Sequence, residues 1–268
     1  SGREMLELLP TLYAQGVRII KFWSAPRRID LARACGQGDV LKLDAPQILE
    51  VMQAAHKLGM IFMVHVADPD TWFATKYADA STYGTKLSHY QVLEDLLPRF
   101  DNPWIAAHLG GNPENLDFLS NLLERHKHLY LDTSAAKWMV RELSKHPRRE
   151  VMDFFSRWQG RILFGSDIVT SDDHLRPTPT HGSITSSIAN KASSPQEAFN
   201  LYASRYWLYR TMFETYYNGP SPVADPDLAM TAPHLFSEMD APKVQGLALP
   251  SDLLYSIYHA TAKKLLGI

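Results

Sequence analysis

One cysteine, Cys35, is all the thiol chemistry this chain has. An internal disulfide is therefore excluded. A reducing, cytoplasmic setting follows as the expectation, with Cys35 a buried or loop thiol before it is a nucleophile. No apolar run approaches the ~18 residues of a membrane span, and no secretory signal pattern is present. A formal net charge of −2 over 268 residues gives no electrostatic case for nucleic acid or an anionic membrane surface. Low-complexity tracts are absent. An initiator Met is also absent, and Ser1-Gly2 reads as a tag scar, so the sequence is taken as trimmed or partial.

What is present is an ordinary globular composition, 45% hydrophobic and 21% charged. That is enough for one α/β core, and parallel (β/α) barrels run near ~250 residues as a single unit. Apolar runs predict strands at 17–23, 60–66, 104–109, 129–133 and 162–164. Helical spacing predicts helices at 3–14, 44–58 (with Asp44 as N-cap), 89–100 and 114–126. Another covers 137–158, interrupted near Pro147. Residues 26–44 read as a loop. After Asp167 the pattern changes to a polar stretch, a helix at 195–217, an irregular Pro-rich segment at 218–246 and a closing amphipathic helix at 250–266. Strand and helix alternate up to Asp167, the signature of βαβ units on a parallel sheet. We read residues 1–268 as one barrel-type domain, with βα units to residue 170 and a loop plus helices beyond.

The carboxyl ends of those strands carry the chemistry. Lys21, His65, His108, Asp132-Thr133 and Asp167 all lie at or near a strand exit, and in a βα array the exits gather on one face. Imidazole and carboxylate there suit zinc or a similar divalent ion. Such an ion lowers the pKa of a bound water toward ~7 and polarises a carbonyl. Asp167 would ligate the ion and take a proton from its water, while His108 would donate to the substrate carbonyl.

The segments Val64-His65-Val66, Ala107-His108-Leu109-Gly110-Gly111 and Phe164-Gly165-Ser166-Asp167 resemble the amidohydrolase-related metal-dependent hydrolases. That group includes decarboxylases of the aminocarboxymuconate-semialdehyde type and lactonases. The likeness spans residues 16–167 and the terminal helix. It implies a (β/α)8 TIM-barrel fold, with His65 and Asp167 as metal ligands and His108 and Asp167 as catalytic groups. It also implies that residues 16–21 match the family's fourth strand, so that five parallel strands are present and the first three are missing. The His-x-His pair ending the family's first strand has no counterpart before Gly16. His126 and His128 have that spacing but stand at a strand entrance. An imidazole and a carboxylate fall short of the three ligands of a catalytic zinc. Metal binding by this chain alone is therefore expected to be weak or absent, and an open barrel would favour pairing with another chain.

Plainer readings stand beside these. Asp167 would cap the following segment, His65 would be a buried imidazole bonded to backbone, and His108 would only pin the Gly110-Gly111 turn. Lys21 and Trp72 are assigned to substrate, against a solvated lysine and loop packing. Asp132 is split between supporting a ligand His and capping the next helix, and His174 and His181 are loop residues within reach of the site. The resulting expectation is a hydrolase of a small ester, lactone or amide. The alternatives are a non-oxidative decarboxylase on the same site or a non-catalytic binding member of the fold.

Overall fold

The computed structural model describes residues 2–36, 42–176 and 187–268. Helix α1 (Gly2–Ala14) leads into β1 (Ile19–Trp23), followed by α2 (Arg27–Ala34) and α3 (Pro46–Lys57). After β2 (Ile61–His65) come two short helices, α4 (Asp70–Phe73) and α5 (Ala80–Tyr83), and then α6 (Lys86–Leu96). Strand β3 (Trp104–Ala106), α7 (Leu116–Arg125) and β4 (Leu129–Asp132) follow. Next are α8 (Ala136–Leu143), α9 (Arg148–Arg157) and β5 (Ile162–Leu163). The rest comprises α10 (Pro195–Glu214), β6 (Asn218–Pro220), α11 (Asp227–Thr231), β7 (Lys243–Gln245), α12 (Ser251–Tyr255) and α13 (Thr261–Leu266).

Two compact units result. The first holds the chain up to Asp132 with Gly160–Leu163 and His259–Ile268; the second holds Thr133–Gln159 and Phe164–Tyr258.

The first unit is built on a parallel sheet in the order β1-β2-β3-β4-β5. Because side chains alternate across a pleated strand, the register assigns each residue a face. Ile20, Phe22, Phe62, Val64, Trp104, Ala106, Leu129, Leu131 and Ile162 share one face, and all are buried. The opposite face carries Ile19, Lys21 and Trp23 from β1, and Ile61, Met63 and His65 from β2. It continues through Ile105 and Tyr130 to Asp132 and Leu163. At its amino-terminal side, Leu265 and Leu266 of α13 pack with Ile19, Met63 and Tyr130 against Ile61, Ile105 and Leu163. Arg161 locks the entrance of β4, donating from Nε to Leu129 O and from Nη2 to His126 O, each at 2.7 Å.

In the second unit, Pro147 separates α8 from α9, as expected. The segment 218–246 is less irregular than predicted: β6 and β7 pair antiparallel. The chain after β7 then runs along the end of α10, with Leu247 N donating to Met212 O at 2.6 Å and Leu249 N to Phe213 O at 2.7 Å. Met212, Phe213, Phe155, Val244 and Leu247 form a fully buried interior.

Other boundaries differ from expectation as well. Asp44 does not cap α3; Ala45 holds that position, with Pro46 opening the helix. Helix α2 lies inside the predicted loop, and β3 stops three residues early, at Ala106. The closing helix is interrupted by a π-helical turn, Ser256–Ala260.

Candidate active site

The exit of β3 shapes the site. His108, Leu109, Gly110 and Gly111 have φ of 61°, 48°, 63° and 76°, four consecutive left-handed residues, two of which carry side chains. Such a run costs free energy at each non-glycine position and persists only where the surroundings hold it. Here they do. Asp132 Oδ1 accepts from His108 N–H at 2.8 Å, and the buried Tyr90 hydroxyl donates to Gly110 O at 2.6 Å. Gly111 N donates to His108 O at 2.9 Å. Gly111 must be glycine, since a Cβ there would lie 2.1 Å from Ala67 O.

This turn sets the His108 imidazole against that of His65, with ring centroids 4.6 Å apart and planes at 73°. On the other side of His65 is Trp23, at 5.5 Å, opposite it in the β1–β2 register. His65 Nε2 is 3.0 Å from Asp68 Oδ1. Asp68 is 1% exposed, and its Oδ2 is buried without a hydrogen-bond partner among the described residues. Burial first, and then the Asp68 charge, push the Tyr77 phenol well above its ordinary pKa. Asp132 is buried and supports the backbone of His108; Ala135, not Asp132, stands at the N-cap of α8.

Lys21 and Trp72, also in the first unit, have other neighbours. Lys21 is exposed in the middle of β1, opposite Met63, and the strand end is Trp23. Trp72 in α4 lies under Lys76, whose Nζ is 3.0 Å from the ring centroid, and beside Tyr77. Behind this loop Lys86 Nζ bridges Asp70 Oδ1 at 2.7 Å and Glu114 Oε2 at 3.3 Å, joining the connections that follow β2 and β3. Burial raises the pKa of Glu114 despite that lysine. His128 Nε2 faces Leu97 O at 3.0 Å, at the entrance of β4, as its position in the sequence predicts. A separate cavity of about 530 Å³ in the first unit is lined by Ser24, Arg28, Arg33, Lys42, Ser88 and His89, and includes none of the predicted residues.

Asp167 belongs to the second unit, exposed and left-handed at φ 48°. Its charge acts on Arg205 of α10. His174 is buried with Nδ1 2.6 Å from Asn190 O and Nε2 3.3 Å from Val169 O, a structural placement. His181 lies outside the described residues.

The same unit holds groups that the sequence did not single out. Lys137 Nζ donates to Asn190 Oδ1 at 2.8 Å, and Arg205 Nη2 reaches the same oxygen at 3.3 Å. Burial, and secondarily Arg205, hold the Lys137 ammonium down to about 8. One turn along α8, Arg141 is matched by Glu142, Asp225 and Asp227. Nothing local marks Lys137 or Arg205, because their common partner Asn190 is remote from both in sequence.

For a divalent ion, the first unit offers the right donor types in His65 and the buried Asp68 Oδ2. The number falls short: among the described residues no three His, Cys, Asp or Glu side chains converge as an ion would need.

None of the curated proteins compared matches this chain. Among solved structures, the 5-carboxyvanillate decarboxylase LigW from Sphingomonas paucimobilis is similar at 14% identity and a TM-score of 0.30. The likeness covers 62% of this chain, which spans about 60% of the length of that decarboxylase. The amidohydrolase family model matches residues 9–268, and the five-stranded parallel sheet accords with that family's TIM-barrel type of α/β fold. The chain belongs to the amidohydrolase family.

Proposed function

We propose that this chain serves an enzyme that hydrolyses a small ester, lactone or amide, with His108 and Asp167 handling protons. The observation that carries the reading is the pair of imidazoles, His65 and His108, set edge to face at the exits of adjacent parallel strands. A parallel sheet gathers its reactive groups at those exits. The strained turn fixes the position of His108, which is a reason to keep such strain.

In this reading His108 donates to the substrate carbonyl oxygen as water adds to the carbonyl carbon. Asp167 takes the proton of that water and delivers it to the departing oxygen or nitrogen as the acyl bond breaks. His65 would be one ligand of a divalent ion such as zinc, which would supply a water of lowered pKa, but the described residues do not complete such a site and neither proton transfer is routed through it. Asp68 orients His65 through their hydrogen bond. Trp23, beside His65, offers aromatic surface to the substrate. The protein is expected to work in the cytoplasm on a small molecule and to self-associate.

The test is a panel of small esters, lactones and amides assayed before and after zinc loading, with bound metal measured in parallel. His108→Asn and Asp167→Asn are expected to lower kcat by roughly 10²-fold or more with the fold intact. Carbon dioxide release in place of hydrolysis would favour the second reading, non-oxidative decarboxylation. The Lys137 and Arg205 cations suit that reaction, since a departing carboxylate must first be held. Neither metal uptake nor activity would leave a ligand-binding member of the fold.

A further inference from the structure

We propose that Lys137 and Arg205 together receive a carboxylate of the substrate, with Asn190 holding the two cations apart and in place. This deepens the enzymatic reading and depends on it for the existence of a substrate. The starting observation is a mismatch of charge. Two cations, Lys137 and Arg205, converge on one neutral oxygen, Asn190 Oδ1, at 2.8 and 3.3 Å. Among the described residues neither forms an ion pair with a carboxylate.

Withdrawing cations from water without a counter-charge is unfavourable, and folded chains normally provide one. This unit does so a turn away, where buried Arg141 meets Glu142, Asp225 and Asp227. Asp225 and Asp227 also favour the charged form of Lys137, but less than burial and Arg205 oppose it. The Arg205 guanidinium shows a second gap: its Nε is buried and has no hydrogen-bond partner among the described residues. A carboxylate oxygen accepts that N–H and the Lys137 ammonium together, in the planar geometry that a guanidinium fork favours.

Charge selects the class of anion. Asp167 acts on Arg205, and Asp225 and Asp227 act on Lys137, so the field around the two cations opposes a phosphate dianion more strongly than a monoanionic carboxylate. Tyr202 and Tyr209 stand three and four residues from Arg205 on α10, on the same side of the helix, and their phenol groups act on its guanidinium.

The experiment is calorimetric titration of the full chain with sodium benzoate and with inorganic phosphate, chloride being used to match ionic strength. Benzoate should bind at one site, with phosphate weaker. Lys137→Met and Arg205→Met should each weaken benzoate about tenfold or more, and Lys137→Arg should keep it. Raising the pH from about 7 to about 9 should weaken benzoate in the wild type but not in Lys137→Arg, which stays charged. Unchanged affinity in both Met variants, preference for phosphate, or the same pH dependence in Lys137→Arg would each overturn the proposal. If the Met variants fail to fold, the Lys137→Arg pH profile decides alone. The readout is binding, so intact benzoate binding without any turnover counts against the enzyme and not against this receptor.

Discussion

Gly111 shows how little freedom the β3 exit has. Its φ of 76° and the 2.1 Å that would separate a Cβ from Ala67 O are independent obstacles to any side chain. Alanine there must adopt a disfavoured backbone and push against main chain that cannot rotate away. Gly111→Ala is expected to lower stability by about 3 kcal/mol or more, read from the midpoint of urea unfolding. Asp132 tests the same turn from the other side. Asp132→Ala leaves the buried His108 N–H without its acceptor, at a cost of about 1–3 kcal/mol. Asp132→Asn keeps an oxygen in place and should recover most of that loss. A carboxylate serving only to cap α8 would make the two variants alike.

The strands were readable because buried parallel strands leave short apolar runs, and Ile61–His65 or Leu129–Asp132 can be little else. Their ends were less readable. The run 104–109 looks continuous in composition, yet the left-handed turn takes the chain out of the sheet after Ala106, a departure held by Asp132 and Tyr90 from other elements. Helix α2 was hidden because Arg27–Ala34 buries only Ala32 and so shows no apolar stripe. His65 and His108 were legible as strand-exit residues, and Asp68 was not, since an Asp before Pro69 also reads as a turn residue. The closing helix was anticipated as amphipathic, and two of its apolar residues cover one sheet face. Leu265 and Leu266 are partly buried against Ile61, Ile105 and Leu163. Replacing both with alanine should cost about 2–4 kcal/mol and raise binding of a hydrophobic dye, because the exposed groups belong to a sheet face.

Across the whole chain, near-balanced charge conceals ionisable groups held against their electrostatic preference, among them Glu114 in the first unit and Lys137 in the second. Glu114 has a raised pKa from burial, so its favourable contribution is present below the ordinary glutamate value and is lost as pH rises through the folded one. Lys137 acts at the opposite end of the pH range. Its folded pKa, about 8, lies below the ordinary lysine value, so the unfolded chain binds the extra proton between the two. The penalty is full below pH 8 and fades as pH climbs toward the unfolded value, so stability should rise across that window. The gain should be on the order of 2 kcal/mol after allowing for partial solvation. Many groups titrate as pH is raised, so the informative quantity is a difference between two proteins. Wild type and Lys137→Met should differ in unfolding free energy by an amount that varies with pH between about 8 and 10 and is constant near neutrality. At neutral pH the Met variant should be the more stable one while binding benzoate poorly. A variant less stable than wild type at every pH would mean that the Lys137–Asn190 hydrogen bond outweighs the buried charge, and that the lysine is there to support the fold.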